Sequence, residues 1–401
     1  MKPEKQRAFR AQWVLPVSSP PLRDGVVVIE GGRILKVGAW RQLRSRDTED
    51  LGDAIILPGL INAHCHLDYT GMRGLIPPPS DFSQWIRRIN ELKLTLTTSD
   101  TLAAVQAGLG ESLQTGTTTV LNIESVPEIL TCLPKPSSRV WWFLEALDIR
   151  HPPPPEFCSW IGEPVGRRVG VSPHAPYTAS LELYRRAARL SASAGLPFTT
   201  HVAETLEEFE MFTLRRGALH DFLKGLGRSG KDLDGTPPFS RLALTGALPQ
   251  GAILAHMNWL AESDWEILAR DPSSYSVAHC PRCHAYFDRP PFAWERFRRL
   301  GINVCLGTDS LASNASLDMF AEMRELLRAH PEVSPAEALR MATLAGARAM
   351  GQQGLLGELR PGAHADLVVK PLPADTTEPE AAVIADERPP ERIMVEGKFV
   401  A

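Results

Sequence analysis

The residues of this chain that could do chemistry follow short apolar runs, close to the point where each run ends. They are His64, His66, Glu124, Asp148, His174, His201, His256, His279 and Asp309. Imidazole nitrogens and carboxylate oxygens bind divalent metal ions and transfer protons near neutral pH. Such side chains, gathered in one place, would form a metal-dependent catalytic site.

The first of these runs, "AIILPGLINAHCH", ends in a pair of histidines separated by one residue. Because side chains alternate along a strand, His64 and His66 point the same way and Cys65 points the opposite way. His201 near the end of the fifth run and Asp309 at the end of the eighth complete a set of three imidazoles and one carboxylate. This set predicts one divalent metal, with Zn²⁺ preferred and Fe²⁺ also compatible.

Two further residues are placed to move protons beside this set. Glu204 follows His201 by three positions, so its carboxylate can reach over the metal without binding it, and we predict that Glu204 is the proton shuttle. His256, near the end of the sixth run, is predicted to polarise the attacking water or the substrate.

The cluster "HCPRCH" at 279–284 raises the question of a separate zinc site. The short cysteine-zinc deaminases use H-x-E followed by P-C-x-x-C, whereas Pro281 lies inside the pair Cys280 and Cys283. Zinc ribbons need a second cysteine pair, which this sequence lacks. We therefore expect no metal here, and we expect His279 to contact the substrate or to support the site.

The elements that must position these residues alternate between β-like runs and amphipathic helical stretches. Eight strand–helix units in about 300 residues are typical of a (β/α)8 barrel, although a doubly wound sheet would alternate in the same way. The polar residues at the strand ends favour the barrel, because its C-terminal strand ends converge on one face. We predict an α/β fold with a (β/α)8 TIM barrel over residues 59–356.

Both ends of the chain are β-rich. "GVVVIEGGRILKVG" contains the hairpin signal Gly31-Gly32, and "ADLVVKPL" and "RIMVEGKFV" lie near the other end. Neither end has enough apolar residues for a core of its own. We therefore predict that residues 1–58 and 357–401 combine into one small β-sandwich domain, with two separate surface hairpins as the alternative.

Composition excludes several classes of function. The chain has 401 residues, of which 43% are hydrophobic and 22% charged, with a net charge of −4, so it shows no basic footprint for nucleic acid. No apolar run reaches the roughly 18 residues of a membrane span, and the N-terminus lacks the apolar core of a signal peptide. The six cysteines are widely spaced, which favours reduced thiols and a cytoplasmic protein.

The motifs resemble, in their order along the chain, the signatures of the amidohydrolase superfamily. They are "LPGLINAHCHLD", "SPHAPYT", "THVAET", "LAHMNWL", "VAHCPR" and "LGTDSLASNASLDMF". They are most similar to the branch of chlorohydrolases and nucleoside deaminases, which includes S-adenosylhomocysteine, methylthioadenosine and aminodeoxyfutalosine deaminases. The resemblance implies a barrel with a small β domain, metal ligands at His64, His66, His201 and Asp309, and catalytic roles for Glu204, His256 and Asp309.

The resemblance also implies which residues contact the substrate. His174 of "SPHAPYT" would contact a purine-nucleoside-like ligand. Trp85 and Glu91 lie after the first barrel strand, in the part that reaches the sugar in relatives, although Glu91 matches the acid that binds ribose hydroxyls only loosely. Arg150 after the third run would hold a carboxylate, and a solvated surface arginine is equally compatible with the sequence.

The expected function is a mononuclear metal-dependent aminohydrolase. Members that open cyclic amides use a carboxylated lysine at the end of strand four, and "RRVGVSPHAPYT" has no lysine. The resemblance therefore implies deamination of an aminodeoxyfutalosine, S-adenosylhomocysteine or methylthioadenosine-like substrate, with release of ammonia. Guanine deamination and triazine amino- or chlorohydrolysis on the same site remain open, whereas a silent binding barrel would have broken ligands. We also expect a homodimer with a small-molecule substrate.

Overall fold

The computed structural model describes residues 6–44, 47–79, 81–149 and 168–400. Its strands are β1 (Arg7–Val14), β2 (Leu22–Glu30), β3 (Arg33–Ala39), β4 (Thr48–Asp50), β5 (Ala54–Pro58), β6 (Leu60–His66), β7 (Thr117–Glu124), β8 (Arg139–Ala146), β9 (Arg168–Pro173), β10 (Thr199–Val202), β11 (Ala252–His256), β12 (Tyr275–His279), β13 (Asn303–Leu306), β14 (Asp309–Ser310), β15 (Leu367–Pro371), β16 (Arg392–Val395) and β17 (Lys398–Phe399).

The helices lie mostly between the strands of the middle part of the chain. They are α1 (Trp40–Leu43), α2 (Phe82–Lys93), α3 (Thr98–Gln114), α4 (Leu181–Ala194), α5 (Leu206–Leu214), α6 (Ala218–Gly225), α7 (Pro238–Leu244), α8 (Glu262–Arg270), α9 (Pro281–Tyr286), α10 (Trp294–Leu300), α11 (Met319–Ala329), α12 (Pro335–Met341), α13 (Leu344–Ala349) and α14 (Pro379–Ala385), with short 3-10 helices at Leu67–Met72 and Pro127–Thr131.

Local sequence explains why these elements form where they do. Strands β6 and β7 are buried at every position, as expected of parallel strands covered by helices. The Ser180 hydroxyl accepts from the Leu183 N–H at the start of α4, and Thr97 forms a capping box with Asp100 at the start of α3. Such caps satisfy the free N–H groups of a helix terminus.

The parallel strands of the middle segment follow the order of a (β/α)8 barrel. One sheet has the order β14-β6-β7-β8-β9 and the other β10-β11-β12-β13. A bridge between Val171 and Phe198 joins the edges of the two sheets on one side, and β13 runs on into β14, which pairs with β6, on the other. The α/β architecture is therefore confirmed, with a ladder divided into two sheets instead of one continuous closed sheet.

Strands from the two ends of the chain combine in one eight-stranded mixed sheet. Its order is β17-β16-β15-β5-β1-β2-β3, with β4 beside β1. β5 and β15 join the two ends, with Ile56 opposite Val369, and one face buries Phe9, Ile29 and Leu367 in a core of its own. Both ends thus share a sheet in the described chain, but the second packed sheet that a sandwich requires is not confirmed.

The terminal sheet is tied to the barrel by a buried arginine. Arg139 at the start of β8 has a side chain that is 2% exposed, and it pairs with Asp366 and, at 2.9 Å, with Glu396. Asp366 also accepts the Glu396 N–H. A buried cation of this kind needs its acids, because neither charge can be left without a partner in a dry environment.

In the parts of the chain that the structure describes, no helix combines the length and the apolar character that crossing a membrane requires.

Replacing Arg139 with Leu should lower the free energy of unfolding by about 3 kcal/mol, because Asp366 is then left buried and unpaired. The matched control is Arg388→Leu, since the Arg388 side chain is 59% exposed and its pairing with Asp386 is worth at most about 1 kcal/mol. Urea unfolding of both variants measures the difference. Equal losses in the two variants would contradict a structural role for the buried pair.

Candidate active site

An irregularity in β6 moves both of its histidines to a different face of the strand from the one that strict alternation after Ala63 would give them. Ala63 packs in the apolar cluster between the strands, whereas Cys65 packs in the outer core against the helices. Strict alternation would put these two side chains on one face, and the register with β7 shifts between Asn62 and Cys65. Such bulges re-aim side chains next to active sites, and here His64 and His66 come together.

The predicted metal ligands converge within one small volume. The Nε2 atoms of His66 and His201 are 3.0 Å apart. The Nε2 atoms of His64 and His66 lie 3.7 and 3.8 Å from Asp309 Oδ1. All four side chains are buried. The structure therefore brings together residues from three parts of the chain as the sequence predicted.

The donor atoms fit a divalent cation. Both ring nitrogens of His64 and the Nδ1 of His66 are buried without a hydrogen-bond partner among the described residues. Burial, with neighbouring histidines, lowers the pKa of His66 well below its usual range and that of His201 to about 3. Neutral imidazoles are the form that binds metals, and a cation would satisfy nitrogens that otherwise lose their hydration.

Close backbone contacts fix Asp309 against β6. The Asn62 side chain donates to the Thr308 hydroxyl at 2.8 Å and accepts the Thr308 N–H at 3.1 Å. A Cβ at Gly307 would lie 2.6 Å from the His64 carbonyl oxygen, so this approach requires glycine. The glycine of the "LGTD" motif therefore allows the eighth strand to meet the first.

Hydrogen bonds orient the ligands further. His201 Nδ1 lies 2.8 Å from the His174 carbonyl oxygen, which directs Nε2 toward the other ligands. The Cys283 thiol donates to Asp309 Oδ2 at 2.8 Å and accepts from the Ser313 hydroxyl at 3.3 Å. Burial raises the pKa of the Cys283 thiol well above its usual range, which keeps it a donor. The second cysteine of "HCPRCH" thus supports the predicted metal ligand Asp309.

The backbone at the site is strained in several places. His256 has φ of 76°, Asp309 57°, Ala203 53° and Met257 51°. For residues with a side chain, this left-handed region costs roughly 1–2 kcal/mol per residue. Backbone bonds from Met257 N to Val202 O and from Asn258 N to Ala203 O hold the two strand ends in place. Strain of this kind clusters at functional sites.

The predicted proton shuttle lies beside the ligands in a buried ion pair. Glu204 Oε1 is 2.9 Å from Arg289 Nη2 and 3.8 Å from His256 Nε2. Burial raises the pKa of Glu204 to about 7, against the opposing charge of Arg289. A carboxyl group with this pKa can hold or release a proton at neutral pH.

A cleft with an empty volume of about 860 Å³ opens onto these residues. Its apolar wall comes from α2 and α6 and includes Phe82, Trp85, Ile89 and Phe222. His174, His201, Glu204, His256 and Asp309 line its polar side. The size and lining suit a small ligand with a planar apolar part and a few polar groups.

The sequence profile of the amidohydrolase family matches residues 55–138 and 147–400. The chain belongs to the amidohydrolase family. This confirms the resemblance drawn from the motifs.

Several relatives of this amidohydrolase have deaminase names, and its structural neighbours include both deaminases and triazine hydrolases. It is 30% identical over 378 residues to the 5-methylthioadenosine/S-adenosylhomocysteine deaminase of Syntrophobacter fumaroxidans, covering 86% of this chain and 79% of that one. It is 29% identical to the aminodeoxyfutalosine deaminase of Deinococcus radiodurans, covering 82% and 81%. The Helicobacter pylori aminofutalosine deaminase in complex with methylthio-coformycin has a TM-score of 0.87 at 21% identity, covering 98% and 100%, which shows a common fold.

Not every predicted substrate contact reaches the cleft of the amidohydrolase. Trp85 and His174 line it. Glu91 instead lies on the exposed side of α2, where it pairs with Arg88 at 2.9 Å. His279 stacks on Phe292 with ring centroids 3.9 Å apart and is absent from the cleft wall. Arg150 lies outside the described residues, so its predicted contact stays a prediction.

Four polar residues that the sequence reasoning missed also belong to the site. They are Tyr69, Lys93 and Glu145, which line the cleft, and Arg289, which pairs with Glu204. Helical periodicity in α2 could have found Lys93, because Ile86, Ile89 and Lys93 recur at spacings of three and four, a pattern that excludes Glu91. No local signal marks Arg289, which lies in a loop.

Replacing Cys283 with Ala should weaken metal binding roughly 10- to 100-fold, since Asp309 loses an outer hydrogen bond, whereas Cys283→Ser should retain most of the affinity. Competition with a chelator measures the apparent Kd. Cys132→Ala is the control, because Cys132 is exposed. Unchanged affinity in Cys283→Ala would show that the thiol does not support the ligand.

Proposed function

We propose that this amidohydrolase is a mononuclear metal-dependent aminohydrolase that deaminates a 6-aminopurine nucleoside and releases ammonia. The observation that carries the proposal is the convergence of three imidazoles and Asp309 beside Glu204, a buried acid whose pKa is raised to about 7. The deaminase names of the relatives support the same reaction class. The apolar wall of the cleft suits the purine ring.

One Zn²⁺ fits the donor set, and its ligands would be His64, His66, His201 and Asp309. When bound, such a metal makes hydroxide available at neutral pH by lowering the pKa of its water from about 15.7 to about 7. Three nitrogen donors and one carboxylate favour zinc, and ferrous iron is the alternative.

His256 and Asp309 would orient the attacking water. Burial lowers the pKa of His256 well below its usual range, so this imidazole is neutral and has a free nitrogen to accept a proton. Burial raises the pKa of Asp309, but the imidazoles beside it, including His64 with Nε2 at 3.7 Å, outweigh this effect and hold the pKa well below its usual range. Asp309 is therefore an ionised acceptor.

Glu204 would complete the reaction by giving its proton to the ring nitrogen next to the carbon under attack. The carbon–nitrogen bond to the exocyclic amino group then breaks, a proton held by His256 goes to the leaving nitrogen, and ammonia departs. The hydroxyl group that water adds to the ring carbon returns its proton to Glu204 and becomes a carbonyl group, so atoms and protons balance.

Two broader features belong to the same proposal. We place the enzyme in the cytoplasm, which the free thiols of the described cysteines support. We also propose a homodimer, and light scattering on the purified chain tests this. The partner in catalysis is a small molecule.

An ammonia-release screen tests the activity. Adenosine, methylthioadenosine, S-adenosylhomocysteine and aminodeoxyfutalosine are compared with guanine and an amino- or chlorotriazine, and the metal content is measured in parallel. We expect ammonia from one or more of the 6-aminopurine nucleosides and one metal per chain. Chloride release, or turnover of guanine alone, would contradict the proposed substrate class.

Glu204→Gln should lower kcat by a factor of about 10² to 10⁴, because the amide cannot protonate the ring nitrogen, and should leave the metal content unchanged. Glu210→Gln serves as the control, since Glu210 lies on α5 outside the cleft. Steady-state kinetics and metal analysis are the measurements. Substantial turnover by Glu204→Gln would remove this residue from the role.

The activity should fall as the pH rises through about 7, because Glu204 must carry a proton to act as the acid and its pKa is raised to about 7. In Arg289→Met the alkaline limb should move to higher pH, since loss of the positive charge removes a stabiliser of the ionised form. The pH dependence of kcat/KM measures both. A limb that stays in place in the variant would show that Arg289 does not set the proton affinity.

A further inference from the structure

Glu145 presents an unpaired carboxylate oxygen on the wall of the cleft. It lies near the end of β8, and its side chain is 6% exposed. Its Oε1 is buried without a hydrogen-bond partner among the described residues, and the residue lines the cleft. A buried acceptor without a donor costs free energy unless a ligand supplies the hydrogen. The mechanism above gives Glu145 no task.

His174 presents a second free acceptor next to it. The Thr178 hydroxyl donates to the Ala175 carbonyl oxygen, so it accepts from His174 Nδ1–H at 2.6 Å. His174 Nε2 is then a bare acceptor, 4.0 Å from Glu145 Oε1, which is too long for a bond between them.

A second metal does not explain this pair. Donor atoms of Glu145, His174 and His201 lie within 4.8 Å of one another. Both nitrogens of His201 are already engaged, Nδ1 with the His174 carbonyl oxygen and Nε2 beside His66. The two remaining donors, one carboxylate and one imidazole, are too few to hold a divalent ion by themselves.

A nearby cation does not occupy the pair either. Lys93 lines the same cleft, and its ammonium group donates to the Tyr69 hydroxyl at 3.0 Å and to the Ser125 hydroxyl at 3.1 Å. Its charge offsets part of the cost of a buried carboxylate without bonding to Glu145. The two acceptors are therefore left for a ligand.

We infer that Glu145 and His174 form a recognition subsite for a substrate group with two hydrogen-bond donors, an inference that rests on the proposed function. In a 6-aminopurine nucleoside the 2′- and 3′-hydroxyls of the ribose supply this chemistry. In a 2,6-diaminopurine the 2-amino group supplies it. In both cases two O–H or N–H groups of the substrate donate to two acceptors that lie about 4 Å apart. Glu145 would therefore make the enzyme prefer substrates that carry these donor groups over analogues that lack them.

The test compares wild type, Glu145→Ala and Glu145→Gln on four substrates by ammonia release. The substrates are adenosine, 2′-deoxyadenosine, 3′-deoxyadenosine and 2,6-diaminopurine riboside. Glu182→Gln is the control, because Glu182 is exposed and lies on α4 away from the cleft. Calorimetric binding of coformycin and 2′-deoxycoformycin gives a second readout that needs no turnover.

In wild type we expect kcat/KM to be roughly 10- to 100-fold higher for substrates that carry the recognised donor group than for analogues that lack it. This is the effect expected of a hydrogen bond to a charged group. A lower kcat/KM for 2′- or 3′-deoxyadenosine than for adenosine would identify the ribose diol as the recognised group. A higher kcat/KM for 2,6-diaminopurine riboside than for adenosine would identify the 2-amino group. In Glu145→Ala the ratio of kcat/KM between these substrates should fall to within about threefold. Glu145→Gln should give an intermediate ratio, and Glu182→Gln should give the wild-type ratio.

Three results would overturn the inference. The first is a wild-type enzyme that treats all the analogues alike in turnover and binding. The second is a preference that Glu145→Ala retains in full. The third is two metals per chain in wild type and one in Glu145→Ala. If wild type releases no ammonia from any substrate yet Glu145→Ala loses the preference for coformycin over its 2′-deoxy form, the proposed reaction fails and the subsite stands.

Discussion

The structure depends on the convergence of three imidazoles and one carboxylate from strands that are far apart in the sequence. None of these groups has enough local partners to be satisfied where it lies, and both ring nitrogens of His64 are without a hydrogen bond among the described residues. Burying such nitrogens is costly unless a cation takes their lone pairs. Three local features bring these side chains together: the bulge in β6, the glycine at 307 and the strained backbone of Asp309.

Residues in the segment after β12 form hydrogen bonds with both acids of the site. Cys283 bonds to the proposed metal ligand Asp309, and Arg289 bonds to the proposed acid Glu204. His284 continues the same support by contacting Asn258, whose side chain donates to the Glu204 carbonyl oxygen. The cysteine-rich motif therefore supports both acids through hydrogen bonds.

The cleft has an apolar wall on one side and a polar wall on the other. Residues of α2 and α6 provide surface for a flat ring, and the strand ends provide groups that react with it or bind its polar edge. Helix periodicity explains why Lys93 reaches the cleft while Glu91 faces solvent, because residues two positions apart on a helix lie on different faces. The acid expected on α2 thus faces solvent, and Glu145 from β8 presents a carboxylate in the cleft.

The sequence alone determined the strand–helix alternation and predicted that His64, His66, His201, Glu204 and Asp309 would lie together. These follow from short-range patterns, since strand parity and motif spacing are properties of neighbouring residues. Only the tertiary structure decided the bulge that sets which face the two histidines share, the single mixed sheet at the chain ends, and the positions of Cys283, Arg289 and Glu145. Those contacts join segments far apart in the chain, and no local pattern records which distant side chain will lie within a hydrogen-bond length.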